Sequence, residues 1–356
     1  MRILQVMAGG AHGGAEEAFV DTCITLHDAG IEQHIVTRRN DARLKRLREA
    51  GLPVTTLPFG GALDVYTMLA LRCKIHSLRP DIVQSWMSRA AHFVPKAGPQ
   101  DSYCHVARLG NYYKLKYFTS ANAFVAVTPM IADYLIQNGH APGRVRQINN
   151  FADLGDDDQA APLSRADYAT PEGAPLLLAL ARLHDNKGLD VLLRALVDVP
   201  DAWLWIAGDG PKRDELEALA AELGVMDRVR FLGWRDDRSA LLKTADICVL
   251  PSRDEPFGTT FVQAWAYQTP LIASTADGPR QFVTHEHDGL LVPIDDPNAL
   301  AQAIDRLGGD PGLQDQLIDN GYAHYQQAFT REQCINAYLA FYRDVLEGSD
   351  RAEDVA

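Results

Sequence analysis

The sequence predicts an α/β chain of two successive doubly wound domains, each a mainly parallel sheet covered by helices on both faces. Three observations lead there. Short apolar runs alternate with apolar stripes at helical spacing along the whole chain. Its 356 residues suffice for about two domains, each with its own core. The charge also changes sign: residues 1–150 carry 17 Lys+Arg against 11 Asp+Glu, and the remaining residues 17 against 36. The stretch Asp153 to Gly173 mixes the acidic run Asp156, Asp157, Asp158 with Pro162 and Pro171 and shows no period. It places a linker at 153–175, between domains at 1–152 and 176–330.

In the first domain the strand candidates are Ile3 to Met7, Ile35 to Thr37, Ile82 to Trp86, Val106 to Leu109 and Phe124 to Val127. In the second they are Leu176 to Leu180, Trp203 to Ala207, Val229 to Leu232, Ile247 to Leu250 and Leu271 to Ala273. Helices lie between them. Phe19, Thr22, Cys23 and Leu26 share one face, and Leu189, Leu192, Leu193 and Leu196 recur at i, i+3, i+4, i+7, as do Leu216, Leu219, Ala220 and Leu223. Ile335, Tyr338, Leu339, Tyr342, Val345 and Leu346 mark a last helix of about 16 residues.

A net charge of -13 with 47% hydrophobic residues describes a soluble globular chain and argues against a general nucleic-acid binder, which needs excess Lys and Arg. The five cysteines are odd in number, far apart and without a CxxC pair. They signal neither a disulfide framework nor a zinc site and read as reduced cytosolic thiols. The opening Met1 to Met7 is too short for a signal peptide, and no apolar stretch approaches the ~20 residues of a spanning helix. The expected location is cytoplasmic.

Three segments carry chemistry. The first strand runs into Ala8-Gly9-Gly10-Ala11-His12-Gly13-Gly14-Ala15-Glu16-Glu17, a Gly-rich turn opening a helix, whose amides can face an anion. The spacing is not GxGxxG, and Arg38-Arg39 rather than an acid follows the second strand, which disfavours a nicotinamide. In the second domain Arg182 and Lys187 stand on a loop between a strand and a helix opened by Gly188, a placement suited to a diphosphate. Further on, Glu255-Pro256-Phe257-Gly258-Thr259 sets a carboxylate before a turn that starts a helix. There the N–H groups of Phe257, Gly258 and Thr259 can donate to sugar hydroxyls or phosphate while Glu255 accepts.

With Asn149-Asn150-Phe151, Gly208-Asp209-Gly210-Pro211, Phe231-Leu232-Gly233 and Thr269-Pro270-Leu271-Ile272-Ala273, these segments resemble the retaining nucleotide-sugar glycosyltransferases of family four over nearly the whole chain. The resemblance implies the GT-B fold: two Rossmann-like domains facing across a cleft, with a C-terminal helix at 331–348 packing back toward the N-terminal domain. That domain would bind the acceptor, and the C-terminal one the nucleotide-diphosphate sugar. Arg182 and Lys187 would bind the donor diphosphate, with Gly13 and Gly14 facing it from the other domain. Glu255, Phe257, Gly258 and Thr259 would hold the transferred sugar. Arg182, Lys187 and Glu255 are thus the catalytic candidates for a retaining, metal-independent transfer without cofactor, in cell-envelope polysaccharide or lipopolysaccharide synthesis.

Three positions depart from the family pattern. Gln263 stands eight residues after Glu255, where a second glutamate contacts the nucleotide ribose; its amide keeps an acceptor and adds a donor. Arg108 stands near the place of a histidine, and Arg108 and His12 are candidates for an acceptor or phosphate contact. Asn150 replaces a glycine. The segment Asn111 to Phe118 interleaves aromatics with lysines, and Arg38, Arg39, Arg43, Lys45, Arg46 and Arg48 form a second basic run. Both suit a lipid-linked or anionic glycan acceptor and peripheral contact with the inner face of the membrane; the first reads equally as a packed helix or an acceptor-site wall. A sugar-nucleotide epimerase and a catalytically silent sugar-nucleotide binder are the competing readings on the same fold.

Overall fold

The computed structural model describes residues 1–10, 13–61, 63–98, 102–152 and 160–353, with side chains as far as residue 348. Contacts divide the chain into two units, Met1–Phe151 with Arg331–Ala356, and Ala152–Thr330.

Unit 1 is a parallel sheet of β1 (Arg2–Met7), β2 (Glu32–Thr37), β3 (Val54–Thr56), β4 (Ile82–Trp86), β5 (Cys104–Leu109), β6 (Ala123–Ala126) and β7 (Val145–Gln147), in the order β3-β2-β1-β4-β5-β6-β7. The five expected strands are all present. β3 and β7 were not foreseen because each is three residues long, lies at a sheet edge and is only partly buried, so neither shows an apolar run. Helix Gly14–Asp28 turns Phe19, Thr22, Cys23 and Leu26 inward. Asn111 to Phe118 is no regular helix: it holds one 3-10 turn, Leu115–Tyr117, with Tyr113 stacked on Phe118.

The last helix, Arg331–Glu353, belongs to unit 1 although unit 2 lies between them in sequence. Ile335, Tyr338, Phe341, Tyr342 and Val345 share a core with Ile3, Ile82, Val106 and Val125. The buried Tyr342 hydroxyl donates to Gln84 Oε1 at 2.5 Å, and Arg331 pairs with Asp28 at 2.7 Å. At 23 residues the helix exceeds its apolar stripe, because its last turns are polar.

His105 on β5 is buried between Ser85 Oγ at 2.8 Å and Ser120 Oγ at 3.0 Å, and burial lowers its pKa to about 4. The unfolded chain takes this proton near pH 6.5. The depressed native value means that stability is fully present above about pH 6.5 and is lost as pH falls toward 4. His105→Gln should therefore flatten the fall of melting temperature over that range; an unchanged slope would reject the assignment.

Unit 2 contains β8 (Leu176–Leu180), β9 (Trp203–Ala207), β10 (Val229–Gly233), β11 (Ile247–Leu250), β12 (Leu271–Ser274) and β13 (Leu290–Val292), all parallel, in the order β10-β9-β8-β11-β12-β13. Only the three-residue edge strand β13 was unforeseen. Helices Leu189–Ala195 and Arg213–Glu222 pack their leucine stripes on Leu177, Leu204 and Ile206.

Residues 160–175, expected as the end of a linker, are instead packed on unit 2. Arg165 donates to Asp246 and to the Thr244 carbonyl, both at 2.8 Å, and Trp205 Nε1 donates to Thr170 Oγ1 at 2.9 Å. These anchors are polar, so hydrophobic periodicity does not register them. The run Asp156 to Asp158 lies outside the described residues.

Candidate active site

In unit 2 the strand order reverses between β8 and β11. Loops leaving the carboxyl ends of two such strands diverge to opposite faces and open a crevice, the usual ligand position in a doubly wound sheet. The loop after β8 carries Arg182 and Lys187; the loop after β11 carries Glu255 to Thr259.

Local chemistry fixes both loops. After β8 the chain makes a 3-10 turn, Asp185–Lys187, and leaves it through Gly188 at φ +62°. A Cβ at Gly188 would overlap the Pro251 carbonyl oxygen, so this glycine lets the two loops touch. Asn186 O then accepts from the N–H groups of Arg253, at 2.8 Å, and Asp254, at 3.2 Å. Arg253 forks onto both carboxylate oxygens of Asp190 at 2.7 Å, reaches Asp295 at 2.5 Å and donates to the Asp185 carbonyl. Its hydrogen bonds to Asp190 raise its pKa and hold Asp190 charged. This clamp was not foreseen, since an arginine between Ser252 and Asp254 carries no sequence mark of its partners.

The clamp brings Lys187 Nζ onto Glu255 Oε2 in an ion pair whose side chains are 20% and 13% exposed. Ser252 Oγ lies 3.5 Å from the same carboxylate oxygen. The two candidates for diphosphate and sugar binding are thus each other's partners. Arg182 is exposed and has no hydrogen bond or ion pair with any described residue.

Gly258, at φ +93°, caps helix Thr259–Ala266. No described residue accepts from the N–H groups of Phe257, Gly258 or Thr259, which remain available as donors. The Phe257 ring takes no part in this donor set. It is buried against Phe261, Phe282 and Phe329, so Phe257 offers a ligand only its backbone. Gln263, one turn into the helix, is half-buried and its amide has no partner among the described residues.

In unit 1, Gly13 caps helix Gly14–Asp28. Glu16 folds back so that its carboxylate accepts from Gly10 N–H at 2.6 Å, and a Cβ on Gly13 would strike it. Gly10 thus already holds one negative charge, and the Gly13 and Gly14 amides donate to no described residue. Arg43, buried from burial-driven side-chain packing, braces the turn by donating to the Gly10 carbonyl and to Thr37 Oγ1. Arg46 pairs with Glu17 and Asp21, Arg39 with Asp41 and Lys45 with Glu49, but only Arg43 of this basic run is buried and the other five members are exposed. His12 lies outside the described residues.

Arg108, expected as a candidate acceptor or phosphate contact, lies inside unit 1. It is 1% exposed, stacks 4.2 Å from the Trp86 ring centroid and donates to Asn150 Oδ1, which ties β5 to the end of unit 1. Buried there, its guanidinium is not presented at the surface. Among the described residues no cluster of His, Cys, Asp or Glu is arranged to hold a metal ion.

Comparison with known proteins adds to this geometry. Residues 161–324 match the family described as Glycosyl transferases group 1, and residues 12–156 match Glycosyltransferase Family 4. The chain is 34% identical over 342 residues to the lipopolysaccharide core biosynthesis glycosyltransferase LpsD of Rhizobium meliloti (strain 1021), covering 95% of this chain and 97% of that one. Among crystal structures, a glycosyltransferase from Rickettsia africae ESF-5 superposes with a TM-score of 0.84 at 19% identity, covering 97% and 98% of the two chains. Anabaena HepE in complex with UDP-glucose superposes with a TM-score of 0.80 at 22% identity, covering 96% and 99%.

Proposed function

From the premise that the chain belongs to the group 1 glycosyltransferases of GT-B fold, we propose that it transfers a sugar, with retention and without a metal, from a nucleoside diphosphate to a glycan or lipid-linked glycan in lipopolysaccharide core synthesis. The observation that carries this reading is the pairing of Lys187 with Glu255 beside unpaired amides where the unit 2 sheet reverses. A cation, a carboxylate and several N–H donors within one crevice match a ligand that is a dianion at one end and a polyol at the other. LpsD supplies the acceptor class by its name, and HepE the donor class by its bound UDP-glucose.

As the bond from sugar to phosphate breaks, negative charge grows on the diphosphate. Fixed donors stabilise that charge most where it develops, and they need no reorganisation during the step. Arg182 and Lys187 supply cations, and the Gly13 and Gly14 amides are the candidates from unit 1. The Phe257, Gly258 and Thr259 amides and the Glu255 carboxylate orient the sugar, and Gln263 hydrogen-bonds the ribose. On the front face, the leaving phosphate oxygen takes the acceptor proton as the acceptor oxygen bonds to the anomeric carbon.

Mass-spectrometric turnover of a panel of uridine and guanosine diphosphate sugars tests the reading. Free nucleotide should appear with a core-glycan acceptor and not without one. Sugar isomerisation would show an epimerase, and protection without turnover a silent binder; either result would replace this proposal.

A further inference from the structure

Helix Val65–Leu78, which joins β3 to β4, turns Leu71 and Ile75 into the core and leaves its opposite face bare. Leu63, Val65, Tyr66, Met68 and Leu69, just before the helix and in its first turns, are 49% to 93% exposed. Five large apolar side chains side by side exceed the scatter of single apolar residues on an ordinary surface. In a parallel crossover the helix starts where β3 ends, so this cluster lies at the carboxyl end of the unit 1 sheet, the end that also carries the glycine turn and the loop after β5.

The charges around the cluster are mostly positive. Between residues 65 and 100 the chain has five Lys and Arg and a single carboxylate, Asp81. Asp81 bonds the Arg2 amide and so lies at the opposite, amino end of the sheet. Asp64, beside the cluster, is the helix cap: it accepts from the N–H groups of Thr67 and Gly60 and from the Thr67 hydroxyl, and these bonds hold its pKa below the usual range. Arg72 follows on the bare face; Arg89 and Lys96 follow the end of β4; Lys114 and Lys116 follow the end of β5. All five are exposed, and none pairs with a carboxylate among the described residues.

We propose that this rim of unit 1 seats on an anionic bilayer, with the side chains of Leu63 to Leu69 entering the interface and the cations meeting lipid phosphates. A bilayer surface offers hydrocarbon and negative charge together. A second copy of this chain offers the first without the second, because a two-fold contact would set the unpaired cations against their own copies. No described helix is long and apolar enough to cross a membrane, so the contact is with the surface. This assignment is independent of the transfer chemistry and places the membrane contact at an exposed apolar cluster, which the Arg38 to Arg48 run lacks because its Leu44 and Leu47 are buried.

Flotation of the full chain with phosphatidylcholine vesicles, with and without phosphatidylglycerol, tests it. Binding should require phosphatidylglycerol, weaken as salt rises, and fall about tenfold or more in the triple variant Val65→Ser, Tyr66→Ser, Leu69→Ser. The melting temperature should hold, since these side chains are exposed. Arg89→Gln with Lys96→Gln should weaken binding while leaving every apolar residue in place. Cys73, the one exposed cysteine among the described residues, lies on the same helix, and a solvatochromic label there should shift to the blue on phosphatidylglycerol vesicles. Equal binding by native and triple-variant protein, or no binding to either vesicle, overturns the proposal. So does a dimer in light scattering that the triple variant abolishes without any vesicle binding, which would give the face to a second copy.

Discussion

Lys187→Ala is expected to lower transfer roughly a hundredfold to a thousandfold, the usual effect of removing one fixed donor from a developing oxyanion. The fold should survive, because Gly188 and the Arg253 clamp hold the loop without the pair, although a pair this little exposed costs more to break than a surface one. Nucleotide release with acceptor, measured beside thermal unfolding, separates the two effects. Near-native turnover in a folded variant would remove Lys187 from the diphosphate.

Glu255→Gln should act in opposite directions on binding and on turnover. The Glu255 carboxylate holds Lys187, so an arriving diphosphate competes with it for the ammonium. Glutamine removes the competing charge, and a nucleoside diphosphate without its sugar should bind about threefold to tenfold more tightly. Transfer should nevertheless fall roughly a hundredfold, because the charged acceptor for the sugar hydroxyls is lost. Titration calorimetry with uridine and guanosine diphosphates measures the first effect. Unchanged or weaker affinity would mean that the carboxylate does not guard the lysine.

What the sequence made legible follows from which forces leave a local trace. Buried central strands leave apolar runs, and all ten that the runs indicate are present; β3 and β7 bury too little to leave one, and β13, though apolar and mostly buried, is only three residues long. Arg182, Lys187 and Glu255 were legible because loop cations and carboxylates beside glycines at strand ends form a local pattern. Their mutual pairing was not, since Lys187 and Glu255 lie 68 positions apart and only the closed sheet sets them together. The same holds for Arg253 on Asp190 and Asp295. The Arg108 guanidinium shows the reverse case. It stands in a segment with the composition of a site, yet a stack on Trp86 draws the side chain inward.

The helix Arg331–Glu353 has a bearing on synthesis. Unit 2 is one uninterrupted stretch, while unit 1 needs Tyr342 and its neighbours from the far end of the chain to complete its core. On a ribosome, where segments fold as units in the order they emerge, the half made first must wait for the half made second. Until its closing helix arrives, the nascent protein carries an open seam along β1, β4 and β5, and that interval is when it would most need a chaperone.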